Sequence, residues 1–244
     1  MKKQSIRLAS CWIEAVKETI RKNPDDALLY FDLGATYGDI GRYREEIEAY
    51  KKAIRIEPDF VGVHKNLGIA YAKLGRYQES IEAHKEATRI KPDDADVHYN
   101  LGLTYYLLGR WQEAIEAYKQ SIRIKPDNAV AHHSLGVAYG SLARNLAYHS
   151  PSCLEEAIAA FKQAIRIKPD YAEAYFNLGL AYWGLGSCYG MLDGYQYLIE
   201  EIEAYKKAIR IKPSIIGAYC NLGLSYLLLV IRRLLLTFQG KKKD

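Results

Sequence analysis

Six of the seven prolines in this 244-residue chain recur at a nearly constant spacing. They are Pro24, Pro58, Pro92, Pro126, Pro169 and Pro213, so the first three intervals are 34 residues long and the last two are 43 and 44. A fixed period of this length is typical of a stacked repeat array, in which no single unit can bury its apolar face alone. The spacing therefore predicts a repeat solenoid and favours binding over catalysis.

Each period contains two amphipathic helical patterns of about a dozen residues, joined at a glycine such as Gly41, Gly75 or Gly109 and closed by the proline. The first pattern of each period carries a Leu-Gly-x2-Tyr motif, which occurs as Leu33-Gly34-x2-Tyr37, Leu67-Gly68-x2-Tyr71, Leu101-Gly102-x2-Tyr105, Leu135-Gly136-x2-Tyr139, Leu178-Gly179-x2-Tyr182 and Leu222-Gly223-x2-Tyr226. The motif and the period resemble the tetratricopeptide repeat (TPR) family. The chain departs from the family at the opening tryptophan, which is replaced by Tyr30, His64, His98, His132, Tyr175 and Tyr219.

The resemblance implies an all-α fold, a right-handed solenoid of antiparallel helix pairs with twelve helices. It divides a single array into a half-repeat (1–26), five repeats (27–60, 61–94, 95–128, 129–171 and 172–215) and a long apolar helix with a basic tail (216–244). The last two repeats carry insertions between their helices, and we expect both helices of each to lengthen by roughly one turn. The inserted tyrosines predict a local binding patch, with tolerated loop drift as the alternative; they are Tyr148, Tyr189, Tyr195 and Tyr197.

In TPR proteins the first helices of the repeats line a concave groove. The family's groove-facing positions, carried onto this sequence, are Phe31, Lys65, Asn66, Tyr99, Asn100, Leu103, Tyr106, Phe176, Asn177, Leu180, Trp183 and Asn221. Aliphatic side chains flanked by aromatic ones suit an amphipathic helix or an apolar extended peptide. Packing between neighbouring helices is the alternative use of the same side chains.

The asparagines of this set predict a specific chemistry. A side-chain amide offers both a donor and an acceptor, so a row of amides can bind the backbone of an extended peptide whatever its sequence. Asparagine is also common at this place in TPR repeats, which leaves a purely structural role open.

The C-terminal helix is apolar nearly all round and must be buried somewhere. It predicts a self-association surface formed by Leu227, Leu228, Val230, Ile231, Leu234, Leu235 and Phe238. Arg232 and Arg233 interrupt the apolar run and argue against a membrane span, because each costs about 2.5–3.5 kcal/mol at a bilayer centre. A membrane surface is a further alternative, since Lys241 to Lys243 would favour anionic lipid.

Composition excludes several classes of function. The four cysteines show neither a C-x-x-C spacing nor a histidine cluster, which argues against zinc and disulfides and favours a reducing cytoplasm. A net charge of +5 is mild for a nucleic-acid binder. We expect no cofactor, no metal and no catalytic residue. The sequence predicts a non-catalytic scaffold that binds a peptide or helix of a partner protein; the alternatives are a self-assembling structural protein, dimer or filament, and a regulatory subunit of a separate enzyme.

Overall fold

The computed structural model describes the backbone of residues 2–145 and 150–240, and the side chains of residues 8–145, 150–190 and 194–234. Within these ranges the chain forms twelve α-helices and no strand, which confirms the predicted all-α repeat fold. The helices group into two compact units, Met1–Ile124 and Lys125–Asp244.

The first unit contains seven helices, and each of the last six packs against the helix that precedes it. They are α1 (Lys2–Lys22), α2 (Ala27–Asp39), α3 (Tyr43–Ile56), α4 (Val61–Lys73), α5 (Tyr77–Ile90), α6 (Ala95–Leu107) and α7 (Trp111–Ile124). The turn glycines Gly41, Gly75 and Gly109 have φ values of 78°, 73° and 76°, a left-handed conformation that residues with a Cβ rarely adopt. Glycine at these positions therefore fixes where each first helix ends.

The second unit contains five helices, α8 (Ala129–Asn145), α9 (Pro151–Ile167), α10 (Ala172–Asp193), α11 (Tyr195–Ile211) and α12 (Ile216–Gly240). In α8 and α9 there are 17 residues each, against 13 in α6 and 14 in α7. The predicted lengthening is confirmed for α11 as well, which has 17 residues. Helix α10 spans 22 residues but is kinked at Gly190, whose φ of 77° and ψ of −180° are not helical, so its regular first part ends before that residue and is still longer than α6. No helix among the described residues is both long and apolar enough to cross a membrane.

The glycine of the Leu-Gly motif lets the two helices of a repeat approach closely. A Cβ placed on Gly34, Gly102, Gly136 or Gly179 would lie 2.5 to 2.8 Å from the nearest ring atom of Tyr50, Tyr118, Phe161 or Tyr205 respectively. His84 occupies the same place against Gly68. Each ring is at most 3% exposed, so it fills a notch that only glycine leaves open.

Histidine at the opening position of three repeats has a role that the sequence pattern did not reveal. The Nε2 atoms of His64, His98 and His132 lie 2.7, 2.8 and 2.9 Å from the carbonyl oxygens of Pro58, Pro92 and Pro126. Each ring thus hydrogen-bonds the turn that follows the preceding second helix. The recurrence of histidine here is explained by repeat stacking.

Two buried carboxyl groups stand at a second-helix position that holds alanine in other repeats, such as Ala114. Glu46 and Glu201 are 5% and 3% exposed, and burial raises the pKa of each to about 7. Ser225 donates a hydrogen bond to Glu201 at 2.5 Å, whereas Oε2 of Glu46 has no partner in the described part of the chain. Because the folded protein binds these protons more tightly than the unfolded chain, their stabilising contribution is lost as the pH rises through about 7.

We expect the double variant Glu46→Gln, Glu201→Gln to gain melting temperature relative to the wild type as the pH is raised from 5 to 8. Glutamine mimics the protonated carboxyl and does not titrate. Burial also lowers the pKa of His84 to about 4, which makes stability change with pH in the opposite direction. Because both proteins contain His84, its effect cancels in the difference between their melting temperatures. Thermal unfolding followed by circular dichroism between pH 5 and 8 measures the difference in melting temperature. A difference that does not change with pH would contradict the raised pKa of Glu46 and Glu201.

Candidate peptide-binding site

Trp183 is the most exposed aromatic residue among the predicted groove positions of the second unit. It lies on α10, the first helix of its repeat, and 46% of the residue is exposed although its neighbours Tyr182 and Leu185 are buried. An exposed tryptophan beside a packed core commonly marks a binding surface, because indole contributes a large contact area at low entropic cost. The structure places one cavity on each side of it.

The first cavity has a volume of about 130 Å³ and lies between α8 and α10. Val137, Leu180 and Trp183 line its walls, and Leu154 and Phe161 of α9 contribute apolar surface. Gly140 also lines the cavity, and a Cβ placed there would have no atom within 4 Å, so there is room for a side chain at this position. The structure thus brings three of the predicted residues, Asn177, Leu180 and Trp183, around one apolar cavity.

The second cavity has a volume of about 270 Å³ and lies between α10, the start of α11 and α12. Its wall is formed by Trp183, Tyr195, Leu198 and Leu228, with Glu201 and Arg232 as the charged groups. The guanidinium of Arg232 lies 4.2 Å from the centre of the Tyr195 ring. Each cavity has one arginine on its wall, Arg144 in the first and Arg232 in the second, so the difference between them is mainly one of size, and the second suits a larger side chain.

Several predicted groove aromatics serve helix packing. The Phe31 ring lies 5.2 Å from Phe60 and 5.9 Å from Tyr50. In the same way Tyr99 packs on Tyr118 at 5.6 Å, and Phe176 packs on Tyr205 at 6.0 Å. Phe31, Tyr99 and Phe176 are half-buried, so each ring packs over the residue that fills a glycine notch while part of it remains accessible.

Three of the four predicted asparagines, Asn66, Asn177 and Asn221, bind a neighbouring helix. The amides of Asn66 and Asn221 donate to the hydroxyls of Tyr50 and Tyr205 at 3.4 and 3.3 Å, which ties each first helix to the preceding second helix. Asn177 donates to Nε2 of His133 at 2.8 Å, and burial lowers the pKa of that histidine, which favours the neutral, accepting ring. These contacts are 16 or 44 residues apart in sequence, so the pattern could not predict them. Peptide binding by the amides stays a prediction.

The remaining predicted positions of the first unit lie on its first helices. Leu103 of α6 is 38% exposed, and Lys65, Asn100 and Tyr106 are half-buried. Among the inserted tyrosines of the second unit, Tyr197 stacks on Tyr189 at 5.5 Å, while Tyr148 lies outside the described residues. Within the described part of the chain, no three histidine, cysteine, aspartate or glutamate side chains form a group that could hold a metal ion.

A family model described as TPR repeat matches residues 37–75, 70–109, 104–142 and 146–186, which together make up more than half of the chain. The chain belongs to the TPR family. The Leu-Gly notch, the turn glycine and the closing proline are therefore the structural residues of its TPR repeats, and the cavities beside Trp183 lie on TPR first helices.

Solved TPR structures share this fold. The crystal structure of YrrB, described as a TPR protein with an unusual peptide-binding site, aligns with a TM-score of 0.66 at 20% identity and covers 86% of this chain and 98% of its own. A MamA protein aligns with a TM-score of 0.63 at 27% identity, covering 78% and 97%. MamA from Desulfovibrio magneticus RS-1 aligns with a TM-score of 0.64 at 20% identity and covers 78% of this chain and 97% of its own. No curated protein matches the sequence.

Proposed function

We propose that this TPR protein is a non-catalytic scaffold that binds an apolar or aromatic segment of a partner protein, with Trp183 at the centre of the site. The single observation that carries the proposal is the pair of cavities on either side of this exposed indole. A bound segment would place one side chain in each cavity and cover Trp183 between them. Binding rests on shape and pre-organisation and needs no covalent step.

The two cavities differ in a way that suggests the chemistry of the segment. The first is small and lined mainly by Val137, Leu154, Leu180 and Trp183, so it fits an aliphatic side chain. The second is twice as large and has the Tyr195 ring on its wall with Arg232 stacked over it, so it fits an aromatic side chain. Either an extended peptide or one face of an amphipathic helix can present such a pair. YrrB, a TPR protein with a peptide-binding site, is consistent with this use of the fold.

Selection of a displayed random-peptide library on the full chain tests the proposal. We expect enrichment of segments that combine an aliphatic residue with an aromatic one, because these side chains match the sizes of the two cavities. The variant Gly140→Leu tests the first cavity, because its new side chain would lie beside the cavity, where there is room for it. Selected peptides should bind this variant at least tenfold more weakly. Equal binding to both proteins would exclude the first cavity.

A second candidate function is self-association through α12, which the exposed apolar side of this helix favours. Leu227, Val230 and Leu234 are 53% to 56% exposed. The predicted contributors Leu235 and Phe238 lie outside the residues whose side chains are described. Within this proposal the array is one functional domain divided at the repeat boundaries predicted above, and the four free cysteines suit a cytoplasmic protein.

A further inference from the structure

The helix α12 presents two opposite faces of different character. One face packs against α11, where Ala218 and Ser225 are buried and Asn221 binds the Tyr205 hydroxyl. The other face is exposed and apolar, and its residues are Ile216, Tyr219, Leu224, Leu227, Val230, Ile231 and Leu234, which are 36% to 75% exposed. Their exposed area is on the order of 800 Å², about what each partner contributes to a specific interface and more than most monomers leave uncovered.

Gly223 gives this face an unfilled notch. It is the sixth glycine of the Leu-Gly motif, and the first five are covered by the ring of a second helix. A Cβ placed on Gly223 would have no atom within 4 Å, so none of the described side chains fills the notch. Helix α12 therefore carries the surface that the other repeats use for helix packing, and no described side chain covers it at Gly223.

The exposed side chains follow the spacing of a helix–helix seam. Cys220, Leu224, Leu227, Ile231 and Leu234 are separated alternately by four and three residues, and all are exposed. This alternation places side chains along one stripe that packs against a second long helix. It favours a helix over an extended peptide as the occupant.

The sizes of the side chains along the stripe favour a second α12 in the antiparallel direction. On the exposed face, Cys220 of the stripe and Gly223 beside it are small and lie before Leu227, whereas Ile231 and Leu234 are large and lie after it. If two copies pair antiparallel with Leu227 opposite itself, position 220 meets 234 and position 223 meets 231. Each small residue then faces a large one, so the two surfaces interdigitate.

We propose that two copies of this chain associate through α12 in an antiparallel pair, with a two-fold axis at Leu227 and the Gly223 notch of each copy filled by Ile231 of the other. Such an interface uses the same patch on both copies and closes at two. The inference rests on self-association as the second candidate function and is independent of peptide binding at Trp183.

Charge swapping at the two-fold axis tests the pairing. The wild-type chain is expected at twice its mass of 27.8 kDa in light scattering at tens of micromolar. The variants Leu227→Glu and Leu227→Lys should each fall to the single mass, because position 227 meets its own like charge. An equimolar mixture should return to the double mass as a one-to-one pair. The matched control Leu107→Glu changes a leucine that is 49% exposed in the first unit and should stay dimeric.

Disulfide trapping tests the direction, in a background with Cys11, Cys153 and Cys188 replaced by serine. Native Cys220 alone should give no disulfide dimer, and neither should Leu234→Cys combined with Cys220→Ser. Cys220 together with Leu234→Cys should give one. A dimer from Cys220 alone would indicate parallel helices. A third variant combines Leu227→Cys and Trp12→Cys with Cys220→Ser in the same background. A disulfide between positions 227 and 12 of two copies would indicate a head-to-tail contact, in which α1, where Trp12 is exposed, covers α12. Either result overturns the pairing.

The outcomes separate the pairing from the candidate function on which it rests. A wild-type dimer with any other cross-linking pattern overturns the pairing and leaves self-association standing. A wild-type chain that is monomeric at tens of micromolar overturns both. If that monomer sediments with vesicles of phosphatidylglycerol, the apolar face is assigned to a lipid surface instead.

Discussion

Replacing Tyr118 with alanine is expected to lower the free energy of unfolding by about 3–5 kcal/mol, the largest effect on stability that we predict for one substitution. The Tyr118 ring is 1% exposed and fills the notch above Gly102. Truncation leaves a cavity that the neighbouring helices can close only in part, because Tyr99 packs on the other side of the ring. Urea unfolding followed by circular dichroism measures the change.

A double-mutant cycle tests whether the notch is the reason. Gly102→Ala places a methyl group 2.8 Å from the Tyr118 ring and should cost about 1–3 kcal/mol through overpacking. In the Tyr118→Ala background the ring is absent and the close contact that remains is the Ala114 carbonyl oxygen, 3.2 Å from the new Cβ, so the same methyl should cost less than about 1 kcal/mol. The matched control Gly140→Ala has no atom within 4 Å of the new Cβ and should be neutral or stabilising in both backgrounds. Additive costs at Gly102 and Tyr118 would contradict the notch explanation.

Replacing Trp183 with alanine is expected to weaken the binding of a selected peptide by more than about 2 kcal/mol, or roughly 30-fold in Kd. The indole borders both cavities, so its loss removes the wall that they share. The fold should be unaffected, because the residue is 46% exposed. Isothermal titration calorimetry of the peptide against both proteins measures the loss.

The control for this prediction is another exposed tryptophan. Trp12 is 56% exposed on α1 and lies outside the predicted site, so Trp12→Ala should leave the affinity within a factor of two. Tyr106→Ala separately tests the first unit, where this half-buried side chain was predicted to contribute. If Trp183→Ala binds as tightly as Trp12→Ala, the site lies elsewhere.

The repeat fold could be predicted from the sequence because its determinants are local and recur. A glycine of positive φ such as Gly75 or a proline such as Pro58 fixes a turn by its own backbone chemistry, and the 34-residue period places these turns. The extension of α8 and α9 also followed from a count of inserted residues. Nothing beyond the pattern itself was needed for these features.

The candidate site could be predicted only in part, because the use of a side chain depends on contacts between repeats. Asn66 and Asn177 occupy the same predicted position, yet one binds a tyrosine hydroxyl and the other a histidine ring. The cavities beside Trp183 arise from a glycine in α8, the insertion before α11 and the course of α12, which no single motif encodes. The repeat pattern therefore predicted that Trp183 lies on the groove side, but the cavities around it depend on how the helices pack.

The indole N–H signals of the three tryptophans give the most direct test of the proposed site. Trp12, Trp111 and Trp183 each contribute one signal to a nitrogen–proton correlation spectrum of the full chain, and single substitutions assign them. On titration with a library-selected peptide, we predict that the Trp183 signal shifts with the binding isotherm while the Trp12 and Trp111 signals stay in place. A peptide that binds but shifts Trp12 or Trp111 and leaves Trp183 unmoved would contradict the proposed site.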